Sequence, residues 1–226
     1  MKKVGAIVVA AGTSRRMGGV DKIFAPLLGK PLLAHTVDVF QRCPTVDQVV
    51  IVLSQDKLDE GWRLAKAYRW SKVTEVCPGG ARRQDSVREG LKRLSGCEWA
   101  VIHDGARPCL SLGLIEEGIE EARHSGAAIP AIPVADTIKV VSPDSFVAET
   151  PPRQGLWAVQ TPQVFRFDII EEAYRQAQGD VTDDATLVEN LGYRVKVYPG
   201  SYNNIKVTTP EDMALAEAIL KSREKG

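Results

Sequence analysis

The feature that most constrains the fold is an alternation between short apolar runs and longer segments of helical periodicity. Residues 4–10 are apolar throughout, which is typical of a strand buried on both faces. Residues 31–40 follow with helical spacing and a proline in the first turn. The same alternation predicts strands at 48–53, 73–77 and 98–104, and helices at 57–70, 85–94 and after Ser111. It therefore predicts an α/β fold: a Rossmann-like, three-layer α/β/α domain with a mostly parallel central sheet.

Composition narrows the class of protein. The 226 residues carry 29 basic and 29 acidic side chains, so the formal net charge is zero. No overall field draws such a chain to nucleic acid or to an anionic membrane, and no apolar run has the ~20 residues of a membrane span. We expect one domain over residues 1–226, in the cytoplasm, with neither nucleic acid nor membrane as a partner. The four cysteines lack metal or redox spacing and are expected to be free thiols: Cys43, Cys77, Cys97 and Cys109.

The alternation breaks near Pro130. Residues 137–141 and 146–150 are β-prone and flank a Ser-Pro-Asp-Ser turn, which predicts a β-hairpin. A two-stranded hairpin is marginal alone in water, so it must pack either on this chain or on a second subunit. We favour a protruding dimerisation arm over residues 136–157.

The last part of the chain returns to helix. Thr182 is expected to cap a helix over 185–191, and a strand is expected at 193–198. Residues 204–208 read as a short strand that carries Lys206, and a final helix is expected to begin at Thr209 and Pro210.

Ligands of such sheets bind beyond the carboxyl ends of the strands, and the loop after the first strand is suited to phosphate. It runs through the small residues Ala10, Ala11 and Gly12 to Arg16, with Lys22 beyond it. It lacks both the dinucleotide fingerprint and the Walker A pattern. Small residues let backbone amides approach a phosphate chain, and the two cations can neutralise charge during attack. The alternative is a basic surface loop.

The loop after the third strand is similar. Gly79 and Gly80 allow close backbone approach, and Ser86 lies near the start of the next helix. The alternative is a helix cap with solvated arginines.

Charged residues follow the fourth strand and recur late in the chain. Asp104 is placed to hold Mg²⁺ beside a phosphate, and Arg107 can bind a second phosphate with two hydrogen bonds. The alternatives are a structural Asp–Arg pair and, for Lys206, a solvated lysine. Together the loops supply several cations and one carboxylate, a pattern typical of phosphoryl or nucleotidyl transfer, which needs positioning, metal and positive charge rather than a protein nucleophile.

Segments in order along almost the whole chain resemble the 2-C-methyl-D-erythritol 4-phosphate cytidylyltransferase family of the non-mevalonate isoprenoid pathway. The resembling segments are 10–17 with Lys22, 80–87, 103–108, 136–139, 153–157, 160–163, 182–185 and 204–208. Each segment alone is a weak signal, whereas the ordered set is specific. The chain departs from the family pattern at Ser14, Ala81 and Asn203.

The resemblance implies a reaction in which the phosphate of methylerythritol phosphate attacks the α-phosphate of CTP, with Mg²⁺, and pyrophosphate leaves. By the same resemblance, Arg16 and Lys22 stabilise the transition state, Arg153 and Lys206 position the substrate phosphate, and Asp104 holds the metal and contacts substrate. The implied nucleotide-binding residues are Ala10, Ala11, Gly12, Thr13, Gly79, Gly80 and Ser86. The implied acceptor-binding residues are Asp104, Arg107, Thr137, Thr161 and Thr182. The resemblance also implies a homodimer whose arm carries Arg153 to the partner's site.

Three other functions stay open at this point. A ribitol 5-phosphate cytidylyltransferase would share the nucleotide loops and differ around Thr137, Arg153 and Thr161. A non-catalytic nucleotide sensor would bind CTP without needing Arg153. A dehydrogenase is disfavoured because the dinucleotide fingerprint is absent.

Overall fold

The structure, a computed structural model, describes residues 3–12 and 21–223. Its strands are β1 (Lys3–Val9), β2 (Pro26–Leu27), β3 (Lys30–Pro31), β4 (Gln48–Leu53), β5 (Val73–Pro78), β6 (Cys97–Asp104), β7 (Ala127–Pro133), β8 (Val140–Val141), β9 (Val147–Glu149), β10 (Trp157–Val159), β11 (Gln163–Arg166) and β12 (Lys196–Pro199). Its helices are α1 (Leu32–Arg42), α2 (Leu58–Ala67), α3 (Arg83–Leu91), α4 (Leu112–Ser125), α5 (Phe167–Gln176), α6 (Asp184–Asn190) and α7 (Pro210–Arg223), with a 3-10 turn at Gln55–Lys57.

Four parallel strands form the half of the main sheet that the apolar runs predict. β1 pairs with β4 on one side and with β6 on the other, and β5 extends the sheet beyond β4. The middle residues of β1, β4 and β6 are buried, as expected when helices cover both faces of a parallel sheet. These strand predictions are confirmed, with small shifts at the strand ends.

The other half of the sheet mixes directions. β11 runs antiparallel to both β6 and β7, and β10 runs antiparallel to β7. β12 runs parallel to β7 and corresponds to the strand predicted at 193–198, which begins later than expected. The main sheet is therefore mixed but mostly parallel, as predicted.

Helices pack on both faces of this sheet and complete the three predicted layers. On one face, Val8 belongs to a core shared with Phe40 of α1 and Ile115 of α4. On the other face, Ile7 belongs to a core shared with Val87 of α3 and Ile170 of α5. Adjacent residues of one strand thus point into opposite cores, which is the period of a β-strand.

The structure confirms one of the two predicted helix caps and corrects the other. The Ser111 hydroxyl accepts a hydrogen bond from the Leu114 N–H at 3.3 Å, so this predicted cap is confirmed. The prediction that Thr182 caps α6 is wrong, because Asp183 occupies the cap and accepts from the Thr186 N–H at 3.1 Å. An aspartate caps as well as a threonine, and its charge is favourable at the positive end of a helix.

The short strand predicted at 204–208 is also wrong. The segment is irregular, and the Val207 N–H donates to the Ala106 carbonyl at 2.8 Å, in the loop after β6. Val207 is fully buried while Lys206 is exposed, so the predicted separation of the two side chains holds without a strand. The segment is therefore held against the loop that carries Asp104 and Arg107.

The region 136–157 contains the predicted hairpin. β8 and β9 pair antiparallel with each other, and the Ser142 N–H closes the turn on the Phe146 carbonyl at 2.9 Å. Both strands are shorter than predicted. Large apolar side chains on and around the hairpin remain exposed: Ile138, Val140, Val141, Phe146 and Val147.

The cysteines are free thiols, as predicted. Burial raises the pKa of the Cys77 and Cys109 thiols to about 11, so both are unreactive in the folded chain. In the described ranges, no helix combines the length and apolar character that crossing a membrane requires.

Candidate active site

A cavity of about 740 Å³ opens at the carboxyl ends of β1, β4, β5 and β6, where the fold predicts ligand binding. It brings together most of the residues predicted to bind nucleotide or to act on it. Those that line it are Ala10, Ala11, Gly12, Lys22, Gly79, Gly80, Ser86, Asp104 and Lys206. The predicted residues Thr13 and Arg16 lie outside the residues that the structure describes.

The glycines after β5 are required by packing inside the protein. A Cβ atom on Gly79 would lie 2.4 Å from the Cβ of Ala11 and 2.6 Å from the Ser86 hydroxyl. A Cβ atom on Gly80 would lie 2.3 Å from that of Asp85. The Ser86 hydroxyl accepts from the Gly80 N–H and donates to the Arg82 carbonyl, both at 3.2 Å. Ser86 therefore holds the loop in shape, and the two loops that floor the cavity pack directly on each other.

A second cavity of about 440 Å³ adjoins the first. Four predicted acceptor-binding residues line it, namely Asp104, Arg107, Thr161 and Thr182. Arg83, Asp104 and Lys206 line both cavities, and we call these three residues the shared wall. A ligand in either cavity therefore meets the same charged side chains.

Asp104 is the centre of the shared wall. Its Oδ1 lies 2.9 Å from Arg83 Nε, and its Oδ2 lies 2.7 Å from Lys206 Nζ and 3.8 Å from Arg107 Nε. Burial disfavours the charged carboxylate, yet these cations hold the pKa of Asp104 well below its usual range. Asp104 is therefore ionised, and the surrounding cations leave the wall with an excess of positive charge suited to phosphate.

Hydrogen bonds inside the protein occupy the hydroxyl of Thr161. It accepts from the Asp104 N–H at 3.1 Å and lies 3.0 Å from His103 Nδ1. His103 Nε2 faces the Arg107 carbonyl at 3.4 Å, so we assign the ring proton to Nε2 and let Nδ1 accept from Thr161. Burial lowers the pKa of His103 to about 3, which keeps the ring neutral. Thr161 and His103 thus fix the backbone that carries Asp104.

Arg107 and Lys22 tie the late segment of the chain to the site. Arg107 donates to the Asn204 carbonyl at 2.7 Å, and Lys22 donates to the Val207 carbonyl at 2.9 Å. Arg107 is largely buried, and its Nε hydrogen has no partner within hydrogen-bond geometry in the described part of the chain. Both cations therefore also position the segment that presents Lys206.

The arm residues lie apart from both cavities. Thr137 and Arg153 line neither cavity of the described chain. The Arg153 guanidinium instead donates to the Ala135 carbonyl, at the base of the arm. One chain alone thus leaves these two predicted site residues outside the site.

Sequence reasoning gave no role to Arg83 or Asp184. Arg83 lines both cavities, and its Nη2 lies 2.9 Å from Oδ2 of the fully buried Asp184. The sequence feature that could have indicated a role for Arg83 is its position in the first turn of α3, one residue past the helix cap. Arg82, the neighbouring arginine, binds Asp85 and Asp180 on the surface and is the solvated member of the pair.

The described residues offer little for a metal held by protein alone. No three His, Cys, Asp or Glu side chains among them lie close enough to form a metal cage. Asp104 is the one carboxylate that both cavities share, and both of its oxygens face cations. This donor set fits a Mg²⁺ ion that takes most of its ligands from phosphate and water, as Mg²⁺ commonly does.

Comparison with known proteins decides the family. A family model described as 2-C-methyl-D-erythritol 4-phosphate cytidylyltransferase matches residues 4–222. The chain belongs to this family. Within the cytidylyltransferase family, proteins of that name from Dehalococcoides mccartyi and Alkaliphilus oremlandii are 54% and 44% identical to this chain. The first match covers 97% of both sequences, and the second covers 100% of this chain and 98% of the relative.

Solved cytidylyltransferase structures match the fold. The crystal structure of 4-diphosphocytidyl-2C-methyl-D-erythritol synthase from Anaerococcus prevotii gives a TM-score of 0.87 at 33% identity, covering 97% of this chain and 96% of that one. The 2-C-methyl-D-erythritol 4-phosphate cytidylyltransferase of Francisella tularensis gives a TM-score of 0.82 at 30% identity, covering 96% and 100%. The family resemblance read from ordered motifs is therefore confirmed.

Proposed function

We propose that this chain transfers the cytidylyl group of CTP to 2-C-methyl-D-erythritol 4-phosphate, giving 4-diphosphocytidyl-2-C-methyl-D-erythritol and pyrophosphate for isoprenoid synthesis. Membership of the cytidylyltransferase family supports the identity of the two substrates. The observation that carries the proposal is the shared wall, where two adjoining cavities meet at Arg83, Asp104 and Lys206. A transfer between two bound phosphates needs such a meeting point.

The first cavity is the site for CTP in this proposal. Its floor is built from small residues, which let a ligand approach the backbone closely, and Lys22 lines it. Its volume of about 740 Å³ lies within the ordinary range for ligand pockets. The nucleotide would place its triphosphate along the loop of Ala10, Ala11 and Gly12, toward Lys22 and the shared wall.

The second cavity is the site for the acceptor. It is smaller and lined by polar side chains, among them Thr182 and Thr186, which suit the hydroxyl groups of a sugar alcohol. Its cations, Arg107 and Lys206, suit a phosphate group. Thr161 acts in this site through Asp104 rather than as a donor to the acceptor.

The chemistry is an in-line displacement at phosphorus. A phosphate oxygen of the acceptor forms a bond to the α-phosphorus of CTP, and the bond from that phosphorus to the bridging oxygen of pyrophosphate breaks. By the family resemblance, Lys22 and Arg16 stabilise the negative charge that develops on the transferred group, and Lys206 positions the acceptor phosphate. No protein nucleophile is required.

The reaction depends on Mg²⁺ in this proposal. When bound, the ion neutralises phosphate charge and favours the departure of pyrophosphate. Asp104 is the described residue that would hold it, and phosphate oxygens and water would supply the other ligands.

A homodimer completes the site. The exposed apolar side chains of the arm favour burial against a second copy of the chain, because an isolated hairpin of this size is unstable in water. Such a dimer would carry Thr137 and Arg153 of one subunit to the acceptor cavity of its partner. Free cysteines favour a reducing compartment, and we place the enzyme in the cytoplasm.

Pyrophosphate release from CTP and Mg²⁺ tests the proposal, with methylerythritol 4-phosphate, ribitol 5-phosphate or no acceptor. We expect pyrophosphate release only in the mixture that contains methylerythritol 4-phosphate as the acceptor. Release only with ribitol 5-phosphate would keep the chemistry and change the acceptor. CTP binding without release in any mixture would contradict the enzymatic function and favour the sensor.

A further inference from the structure

Arg83 joins the shared wall to the interior of the protein. Its Nε donates to Asp104 Oδ1 at 2.9 Å, and its Nη2 lies 2.9 Å from Asp184 Oδ2. Burial opposes the charged guanidinium, but the carboxylates of Asp184 and Asp104 outweigh it and raise the pKa of Arg83. One rigid guanidinium therefore bridges a carboxylate at the cavities and a carboxylate in the core.

The inner end of this bridge is firmly held. Asp184 is the first residue of α6 and is fully buried. The hydroxyl of Tyr174, a buried residue of α5, donates to Asp184 Oδ1. The next N–H along, that of Ala185, donates to Gln163 Oε1 at 3.1 Å. Two helices and one strand thus fix the position of Asp184.

Arg83 and Lys206 differ in how easily each can leave Asp104. The Lys206 side chain is 40% exposed and can exchange Asp104 for a phosphate without stranding a buried charge. If Arg83 moved, Asp184 would remain charged in the core without its cation, which is costly. Arg83 therefore stays in place while Lys206 can turn toward a ligand.

We propose that Arg83 is a positioning residue for the transfer, which holds the Asp104 carboxylate in place through a buried anchor formed by Asp184 and Tyr174. The proposal rests on the proposed function, because its readout is the rate of transfer. Asp104 keeps one oxygen on Arg83 throughout, and its other oxygen faces the site. The buried anchor on the interior side of Arg83 therefore fixes the geometry of the wall that both cavities share.

The test changes the anchor and leaves the cavities intact. Asp184→Asn keeps the shape of the side chain and removes its charge, and Tyr174→Phe removes one hydroxyl. Because small displacements in an active site cost up to ~10²-fold in rate, we expect Asp184→Asn to lower kcat about 10-fold or more. Tyr174→Phe should lower kcat in the same direction by less. The Kd for CTP, measured by calorimetry, should stay within about 3-fold, because the anchor touches neither cavity floor.

Variants of Arg83 itself distinguish a role in positioning Asp104 from a role in stability alone. Arg83→Lys keeps the charge but cannot bridge two carboxylates, so it should remain impaired. Arg83→Ala should regain part of its turnover when methylguanidinium is added, because the Arg83 position opens to both cavities. If Arg83→Ala does not fold, Asp184→Asn and Tyr174→Phe still carry the test.

Glu89→Gln is the matched control. Glu89 also lies on α3, and its carboxylate pairs with Lys92 at 2.6 Å, away from the anchor. It should turn over like the parent enzyme. The inference is overturned if folded Asp184→Asn keeps the parent rate, if its CTP affinity falls as much as its turnover, or if Glu89→Gln loses as much activity. An inactive parent enzyme would instead contradict the proposed function.

Discussion

Lys206 and Asp104 form an ion pair of 2.7 Å in which the two side chains are unequally exposed. The carboxylate is 9% exposed and the lysine 40%. The pair is therefore open on the side of the lysine, where the two cavities meet. An incoming phosphate can take the ammonium while Arg83 still compensates the carboxylate.

Lys206→Ala tests the importance of this lysine for turnover. We expect turnover to fall by about 10²-fold or more, the typical cost of a lost charged contact to the transition state. Stability should change little, because Asp104 keeps Arg83 and a partly exposed ion pair contributes at most about 1 kcal/mol. Steady-state pyrophosphate release and thermal unfolding measure the two effects. Lys66→Ala, on the exposed surface of α2, is the control, and normal turnover of Lys206→Ala would contradict the role.

Gly79→Ala tests the packing of the two cavity loops. The added methyl group would overlap Ala11 and Ser86, so we expect a loss of about 1–3 kcal/mol in unfolding free energy and weaker CTP binding. Gly113→Ala, in α4, is the matched control, because nothing lies within 4 Å of its new methyl group. That variant should be as stable as the parent chain or more stable by up to about 1 kcal/mol. Equal behaviour of the two variants in denaturant would show that the loops do not pack as described.

His103 makes stability depend on pH. Its pKa is about 3 when folded and about 6.5 when unfolded, so only the unfolded chain gains this proton between the two values. The contribution of a neutral His103 is fully present above about pH 6.5 and is lost as pH falls toward 3, by about 1.4 kcal/mol per pH unit. The free energy of unfolding is measured in urea at about pH 7 and about pH 5. Between these two values it should fall by about 2 kcal/mol less in His103→Asn than in the parent chain. An unchanged slope in His103→Asn would refute the assignment.

The exposed apolar side chains of the arm are expected to form the interface between the subunits. Phe146 is 71% exposed in one chain, and Phe146→Asp should shift sedimentation toward the monomer and lower activity. Trp62→Asp places the same charge on another exposed aromatic position and should leave association unchanged. Dimers of Phe146→Asp as tight as the parent dimers would exclude this hairpin as the interface.

Mixed dimers test whether Arg153 acts across the interface. An Arg153→Ala subunit and a Lys22→Ala subunit are each expected to be nearly inactive alone. Exchanged into one dimer, they should regain activity, because one composite site then contains both intact residues. The measurement is pyrophosphate release after subunit exchange, with mixing confirmed by a tag on one variant. Mixed dimers without any recovery would mean that Arg153 does not act in trans.

The parallel half of the fold is readable from sequence for a physical reason. A strand buried on both faces must be apolar throughout, so the apolar runs at residues 4–10 and 49–53 can be recognised as strands. β10 and β11 have three and four residues, too few to show a period, and their place depends on pairing with β6 and β7. Such long-range pairing leaves little local trace.

The site also contains residues that the sequence predicts and residues that only the folded chain reveals. Lys22, Asp104 and Lys206 were predicted because loops at the carboxyl ends of strands converge in this fold. Arg82 and Arg83 are identical in type, and only the position at which α3 begins decides that Arg83 belongs to the shared wall. Thr161 was predicted as a ligand contact, but its hydroxyl bonds to the backbone of Asp104, a partner that only the folded chain reveals.

The most direct test of the central claim follows phosphorus NMR signals in a mixture of the enzyme, CTP, Mg²⁺ and methylerythritol 4-phosphate. Direct transfer across the shared wall predicts equal amounts of pyrophosphate and a nucleoside diphosphate diester, with no change in CTP until the acceptor is added. Loss of CTP to CMP without an acceptor, or an unchanged spectrum with both substrates present, would contradict it.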